Sequence, residues 1–318
     1  MVECMTASPE RVVTVVGSGS IGVAFALLFA RSGWRVRCWD VAGDALVRAE
    51  EDLRGRLRLL RQHTLLPEPE ETVIARVSFH EDLAEAVVGS DLVQECAPEN
   101  LGVKRELLAR LASITSENVV LASSSSAIVP SAMIPAVGGD RMLVAHPGNP
   151  PYLLPVIELV PSPQTRPDVV DRLSHFYEEV GLRPVRVSRE VEGFVFNRLQ
   201  GAVLREAYCL VRDGVASVDD IDTVVRLGLG RRWAVMGPFE TVDLNTRGGI
   251  EAHAARMGPS YARMGAERGQ DDPWTPGLVA EVARQRRELL LLSDWDERVA
   301  WRDKQLMRFA ATEQVSAN

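Results

Sequence analysis

Four polar signals in the middle of the chain have the types and spacing to do chemistry. A serine run, Ser123 to Ser126, closes the apolar stretch that begins at Val119. His146 ends the run Arg141–Ala145 and precedes Pro147-Gly148-Asn149-Pro150-Pro151. Glu158 lies inside the apolar run Val156–Val160, and Asn197 stands in the segment Gly193–Arg198. Oxidation of an alcohol needs a base for the hydroxyl proton while a hydride leaves, and histidine suits that task because it titrates near neutrality. A glutamate in an apolar strand is costly to bury alone and needs a partner. His146 and Glu158 form the natural pair, the carboxylate holding the ring in the useful tautomer. Ser126 and Asn197 would then bind the reacting oxygen. Each residue taken singly has a plainer reading: a structural histidine, a serine turn or cap, a glutamate paired with an arginine, a helix-capping asparagine.

A hydride needs an acceptor, and the glycine pattern names one. Gly17-Ser18-Gly19-Ser20-Ile21-Gly22 follows the β-branched run Arg11–Val16 and opens the apolar helical stretch Val23–Arg31. A second strand-like run, Arg35–Trp39, ends at Asp40. In that context the motif reads as a dinucleotide site. Gly17 permits a tight turn, Gly19 lets the backbone approach a pyrophosphate, and Gly22 lets the helix pack on the strand. Asp40 would accept the hydrogen bonds of the adenosine ribose and repel a 2′-phosphate, which favours NAD over NADP. Arg37 would help a phosphate only if Asp40 turned away.

The elements that must position these residues alternate. Val77–Phe79, Asp91–Glu95, Val119–Ser123, Arg141–Ala145, Val156–Val160 and Arg183–Val187 read as strands. Asp44–Gln62, Glu81–Val88, Lys104–Ile114 and Val169–Val180 read as helices, and Pro67 and Pro69 mark a loop. This predicts an α/β fold, a doubly wound and mostly parallel Rossmann sheet, over residues 1–187. Beyond it the pattern is helical only, which predicts an all-α C-terminal domain over residues 188–318. Phe194–Arg212 carries a stripe at helical spacing, and Ser217 with Asp220 makes a capping box for a helix Val218–Leu227 ended by Gly228 and Gly230. Leu278–Leu292 and Asp296–Ala311 read as later helices.

Composition narrows the partners. The chain has 318 residues, 46% of them hydrophobic, and a net charge of −8. An acidic surface argues against nucleic acid. The basic stretch with Arg54, Arg56, Arg58 and Arg61 reads as a solvated helix face. No apolar run is long enough to span a bilayer, so no membrane partner is expected. Cys4, Cys38, Cys96 and Cys209 are scattered without metal-ligand spacing, which predicts no metal site and fits a reduced, cytoplasmic setting. Met1–Glu10 lacks the apolar core of a signal peptide and reads as a short lead-in.

These residues, in this order, resemble the 3-hydroxyacyl-CoA dehydrogenase superfamily. The likeness rests on GSGSIG, Asp40, Gln94–Asn100 with Lys104, the serine run, His146-Pro-x-Asn149-Pro-Pro, Glu158-Leu-Val-Pro161 and Gly193-Phe-Val-x-Asn197-Arg. Within it the chain looks most like the lambda-crystallin / L-gulonate 3-dehydrogenase branch, through Ala145–Tyr152, Gly193–Gln200, Gly228-Leu-Gly230, Arg232, Gly237–Thr241 and the trailing Trp301–Asp303 and Leu306–Arg308. The resemblance implies Ser126 as the catalytic serine (Ser125 is adjacent and equivalent in type), with His146, Glu158 and Asn197. It implies NAD contacts at Ser20, Ile21, Asp40, Glu99 and Lys104, and a helical second domain that forms a homodimer. Arg232 also matches the carnitine dehydrogenase branch and would bind a substrate carboxylate with two parallel hydrogen bonds, or serve an interface instead. Where acyl-CoA enzymes carry an aromatic after the histidine, this chain has Pro147. Gly148 stands where the lambda-crystallin branch carries a larger apolar residue, a change expected to widen the pocket.

The expected function is NAD-dependent oxidation of the 3-hydroxyl of a small carboxylated hydroxy acid, L-gulonate or a relative. The alternatives on the same scaffold are L-carnitine dehydrogenase, for which Trp39 and Trp233 are candidates by type to meet the quaternary ammonium, and 3-hydroxyacyl-CoA dehydrogenase. A third is a non-catalytic, crystallin-like NADH-binding protein.

Overall fold

The computed structural model describes residues 11–234, 237–245 and 249–269, with further positions between 277 and 308. Expectations for residues 1–10, and most of those for 278–292 and 296–311, fall outside the described residues.

The first strand, β1 (Val12–Val16), is a buried apolar run whose one polar residue, Thr14, donates to the Ala86 carbonyl at 2.7 Å. Helix α1 (Ser20–Arg31) is buried from Gly22 through Ala30, as expected for a helix apolar all round. Strand β2 (Arg35–Trp39) and helix α2 (Gly43–Gln62) follow. The long α2 buries only Leu46, Ala49, Leu53, Leu57 and Leu60, at three- and four-residue spacing. Next come α3 (Glu70–Ile74), β3 (Val77–His80), α4 (Leu83–Ala86), β4 (Leu92–Glu95), α5 (Leu101–Ile114), β5 (Val120–Ser123), α6 (Pro130–Met133), β6 (Met142–Pro147), β7 (Val156–Pro161), α7 (Pro167–Glu179) and β8 (Arg183–Arg186).

These strands form one sheet in the order β3-β2-β1-β4-β5-β6-β7-β8. Its first six positions are the doubly wound Rossmann order. All neighbours pair parallel except β6 and β7, which are antiparallel. Alternate strand residues enter opposite cores. Val13, Val15, Val120, Ala122, Leu143 and Ala145 pack with α1, α2 and α7; Leu121, Met142 and Val144 pack with Leu108 and Leu111 of α5.

Arg141, just before β6, is buried, and among the described residues no carboxylate hydrogen-bonds its guanidinium. It donates to the Ala112 and Thr115 carbonyls at the end of α5, to Thr115 Oγ1 and to the Val119 carbonyl. Burial pulls its guanidinium below the ordinary pKa. Arg141→Met is expected to leave those carbonyls unsatisfied and cost about 1–3 kcal/mol, read as a fall in Tm of several degrees with cofactor affinity retained.

The chain divides into two compact units, residues 1–197 with 300–318, and residues 198–299. Met307 is buried in the core of the first unit. Helix α8 (Phe196–Arg212) carries the division in its first turn. In the second unit, α9 (Val218–Val224) starts at the expected capping box of Ser217 and Asp220. It does not stop at Gly228 and Gly230. The chain continues through a π-helical turn, Val225–Leu229, into α10 (Gly230–Trp233). Gly230 is helical, at φ −62°, and a Cβ there would lie 2.9 Å from the Val225 carbonyl oxygen, so this glycine serves a wide turn rather than a left-handed cap. Helices α11 (Pro238–Asn245) and α12 (Gly249–Arg268) complete the described elements of this unit of at least four residues. Among the described residues no strand follows Arg186, no helix is long and apolar enough to cross a membrane, and no His/Cys/Asp/Glu cluster could hold a metal.

Candidate active site

The glycine turn sits where β1 meets α1, beside β4 at the point where the strand order reverses. Gly17 has φ +101°, and a Cβ there would lie 2.7 Å from the Cys96 carbonyl oxygen. A Cβ at Gly22 would lie 1.9 Å from the Gly17 carbonyl oxygen. Both positions therefore need glycine for packing. Gly19 is different: a Cβ there would meet nothing within 4 Å. Gly19 is the N-cap of α1, no side chain caps that end, and the first turn holds no acid. The N–H groups of an uncapped helix start suit a phosphate. Asp40 Oδ2 accepts from Ser18 N at 2.7 Å and Ser18 Oγ at 2.8 Å, which braces the turn. These residues line a cavity of about 640 Å³, with a neighbouring one of about 300 Å³ between Val41, Ala97, Pro98 and Val103. The residues present fit a dinucleotide.

Arg37 points away from this cleft, donating to the carbonyls of Ala86 and Val88. Asp40 faces the cleft without it. Asp40→Ala is expected to weaken NAD binding about tenfold or more, the worth of a charge-assisted hydrogen bond, and to weaken NADP binding far less, because relief of repulsion at the 2′-phosphate offsets the lost brace on Ser18. Titration of both cofactors checks this.

His146 and Glu158 are direct cross-strand partners in the antiparallel β6–β7 pair. Their side chains therefore leave the same face of the sheet. His146 Nδ1 lies 2.8 Å from Glu158 Oε2, with the two residues only 7% and 3% exposed. The other carboxylate oxygen, Oε1, accepts from the backbone N–H of Val195 at 2.7 Å and Phe196 at 3.0 Å, where α8 begins. One glutamate thus orients the imidazole and satisfies two unpaired donors of a helix start. Phe194 and Phe196 frame the imidazole, with ring centroids 5.6 and 5.9 Å away. Phe194 is fully buried at φ +49°, a conformation costly for an aromatic residue and held here by its packing. Among the described residues His146 Nε2 has no hydrogen-bond partner, which leaves it able to take a proton.

The serine run is held from below. Ser125 is buried, and its Oγ donates to Glu99 Oε1 at 2.6 Å. Ser126 is exposed; its N–H donates to Glu99 Oε1 at 3.0 Å, and its carbonyl accepts from Asn197 Nδ2 at 2.7 Å. The two adjacent serines are therefore unlike: the Ser125 hydroxyl is committed, while that of Ser126 meets no protein partner among the described residues. Burial works to raise the Glu99 carboxyl, but hydrogen bonds from Ser125 and the Ala127 and Ser126 N–H groups, with the Lys104 charge, hold it below the usual range.

Lys104 is 1% exposed and spends its three N–H bonds on Glu95 Oε1, Glu95 Oε2 and the Ala97 carbonyl, at 2.9–3.1 Å. It lies 3.7 Å from Glu99 Oε2. Glu95 also accepts from Ser123 Oγ and the Ala97 N–H. Glu95 belongs to no motif of its own; its signal in the sequence is an acid at the end of an apolar strand with a lysine nine residues on. Burial pushes the neighbouring Cys96 thiol up, so it stays protonated. Ile21 packs partly buried against the core, and Ser20 is exposed at the helix start. Gly148 does not open a pocket. A Cβ there would lie 2.9 Å from Val156 Cγ1 and 3.0 Å from Leu154 Cβ, so the glycine lets the β6–β7 connection fold closely. Arg232 lies exposed on α10 in the second unit.

A Rossmann-ordered sheet, an open glycine turn with its aspartate, and a braced imidazole on the same domain define a dinucleotide-dependent oxidoreductase. Residues 12–191 match the family model described as 3-hydroxyacyl-CoA dehydrogenase, NAD binding domain, and residues 193–286 match that of its C-terminal domain. The chain belongs to the 3-hydroxyacyl-CoA dehydrogenase family, and its cofactor is NAD. It is 42% identical to a lambda-crystallin homolog of Bos taurus, covering 94% of each chain. It is 39% identical to an L-carnitine dehydrogenase of Streptomyces griseus, covering 87% of this chain and 80% of that one. Among solved structures it resembles 5-formyl-3-hydroxy-2-methylpyridine 4-carboxylic acid 5-dehydrogenase, an NAD+ dependent dismutase, with TM-score 0.79, 28% identity and coverage of 95% and 97%. It also resembles a 3-hydroxyacyl-CoA dehydrogenase of Archaeoglobus fulgidus, with TM-score 0.68, 27% identity and coverage of 86% and 87%.

Proposed function

We propose that this chain oxidises the 3-hydroxyl of a small carboxylated hydroxy acid, L-gulonate or a close relative, with His146 as the base. The observation that carries the reading is the imidazole held through Nδ1 by a buried carboxylate, with Nε2 unspent. NAD, when bound, supplies the acceptor for the hydride leaving the carbinol carbon. His146 Nε2 takes the hydroxyl proton, and Glu158 stabilises the imidazolium that results. Phe194 and Phe196 limit water around that charge. Ser126, with its hydroxyl uncommitted, and Asn197, which ties the serine loop to the start of α8, orient the reacting oxygen. Glu99 keeps the loop in place by accepting the backbone N–H groups of Ser126 and Ala127. The chain works as a homodimer on this reading, checked by light scattering.

The deciding experiment is an assay panel: NAD reduction with L-gulonate, L-carnitine and 3-hydroxybutyrate, and NADH oxidation with acetoacetyl-CoA. Preference for L-gulonate supports the proposal. Preference for L-carnitine, which the Streptomyces griseus relative makes the second reading, or for the thioester would replace it. Arg232 is assigned the substrate carboxylate. Arg232→Met is expected to raise KM about tenfold or more, as for loss of a charge-assisted pair, with NADH affinity unchanged. An unchanged KM assigns Arg232 elsewhere.

A further inference from the structure

The arginines of α2 read in sequence as a solvated face, and Arg54 behaves that way, pairing with Glu50 and Glu71. Arg56 does not. Its side chain is only 15% exposed. Asp52, one turn earlier, holds the guanidinium with two parallel bonds, Nε to Oδ1 at 2.9 Å and Nη2 to Oδ2 at 2.7 Å. The rest of the guanidinium reaches the first turn of α1. Nη1 donates to the Ser20 carbonyl at 3.1 Å, and Nη2 donates to Ser20 Oγ at 3.0 Å. The Tyr152 ring lies beside it, its centroid 5.9 Å from Cζ.

The donor inventory decides what this clamp does. A guanidinium has no acceptor, so Ser20 Oγ must be the acceptor of that bond and its own hydrogen must point elsewhere. Ser20 is exposed and lines the cavity of about 640 Å³ together with Gly17, Gly19 and Asp40. Among the described residues its O–H meets no acceptor. The Asp52 carboxylate offsets the Arg56 charge, and four of the five guanidinium N–H bonds are used, so Arg56 is poorly placed to be the anion contact itself. What it supplies is a serine hydroxyl fixed as a donor at the positive end of α1.

We propose that Arg56 is a positioning residue for the dinucleotide: it holds Ser20 so that the Ser20 hydroxyl donates to the diphosphate. This rests on NAD binding by the family, not on the choice of substrate. The test is direct binding without substrate, by calorimetry on the full chain, using ADP-ribose and adenosine as probes. Wild-type binding of ADP-ribose gives the baseline and tests the cofactor site separately. Ser20→Ala removes an exposed hydroxyl and is expected to weaken ADP-ribose binding about tenfold. Arg56→Ala and Arg56→Lys should each weaken it roughly three- to tenfold, since the freed hydroxyl must be ordered on binding. The double variant Ser20→Ala/Arg56→Lys, which keeps a cation beside Asp52, should bind no worse than Ser20→Ala, because both act through one hydroxyl. Adenosine affinity should stay as in wild type in every variant, and so should the salt dependence of ADP-ribose binding in Ser20→Ala and Arg56→Lys, which keep the local charge. Additive losses, an equal loss for adenosine, or a loss confined to the Arg56 variants that shrinks with added salt would overturn the proposal, the last by making Arg56 a direct phosphate contact. Ser20→Ala keeps the test decisive should an Arg56 variant fold poorly: unchanged ADP-ribose affinity in that variant alone is enough to reject the idea.

Discussion

His146→Ala is expected to lower kcat by about a hundred- to ten-thousand-fold while leaving NADH affinity as in wild type. The size follows from losing a positioned proton acceptor during hydride departure. The selectivity follows from placement. His146 stands on β6, two strands from β4 and three from β1, where the glycine turn begins. None of the bonds that brace that turn involves it. The check is a steady-state rate with the preferred hydroxy acid beside a direct NADH titration. A variant that keeps most of the wild-type rate removes His146 from the role of base. A variant that also loses NADH would mean that truncation disturbs the domain, and His146→Gln, closer in volume to the imidazole, then separates the two effects.

Glu158→Gln should be nearly as damaging, for a reason peculiar to this geometry. The carboxylate faces two sets of donors: His146 Nδ1 on one oxygen, and the Val195 and Phe196 N–H groups on the other. A glutamine has one acceptor oxygen and one donor NH2. If the oxygen stays with the two backbone N–H groups, the NH2 must donate to Nδ1. The ring proton then moves to Nε2, the nitrogen that should accept. If the amide turns over, its NH2 opposes two N–H donors and the start of α8 loses its anchor. In either arrangement kcat should fall roughly a hundredfold or more. The second arrangement also costs about 1–3 kcal/mol of stability, so a melting curve tells them apart. A kcat within about threefold of wild type, less than the least expected from an acid–base group, would show that the imidazole does not depend on Glu158 for its tautomer.

The glycine turn, Asp40 and the alternation of strands and helices were legible because each is written locally. A β-branched run, a glycine at fixed offset and an apolar stripe each have a period or spacing within one element. The short helices α3 and α6 were not legible: at five and four residues they show too little periodicity, and both lie beside prolines. The reversal of β7 was hidden as well, since a run of apolar residues carries no direction. Gly228 and Gly230 read as stops because glycine favours left-handed caps, whereas the chain uses Gly230 for close approach in a wide turn.

By itself the sequence determined which faces are buried, that a nucleotide-binding turn forms, and which polar types are available for proton transfer. Only the tertiary structure decided that His146 and Glu158 sit opposite one another, that Ser125 is spent while Ser126 is not, that Lys104 is consumed by Glu95, and that Arg56 leaves its solvated face to grip Ser20. The reason is physical. Local pattern sets the conformation of a segment, but a hydrogen bond between residues 12, 26 or 36 positions apart exists only after strand register and helix packing have brought them together.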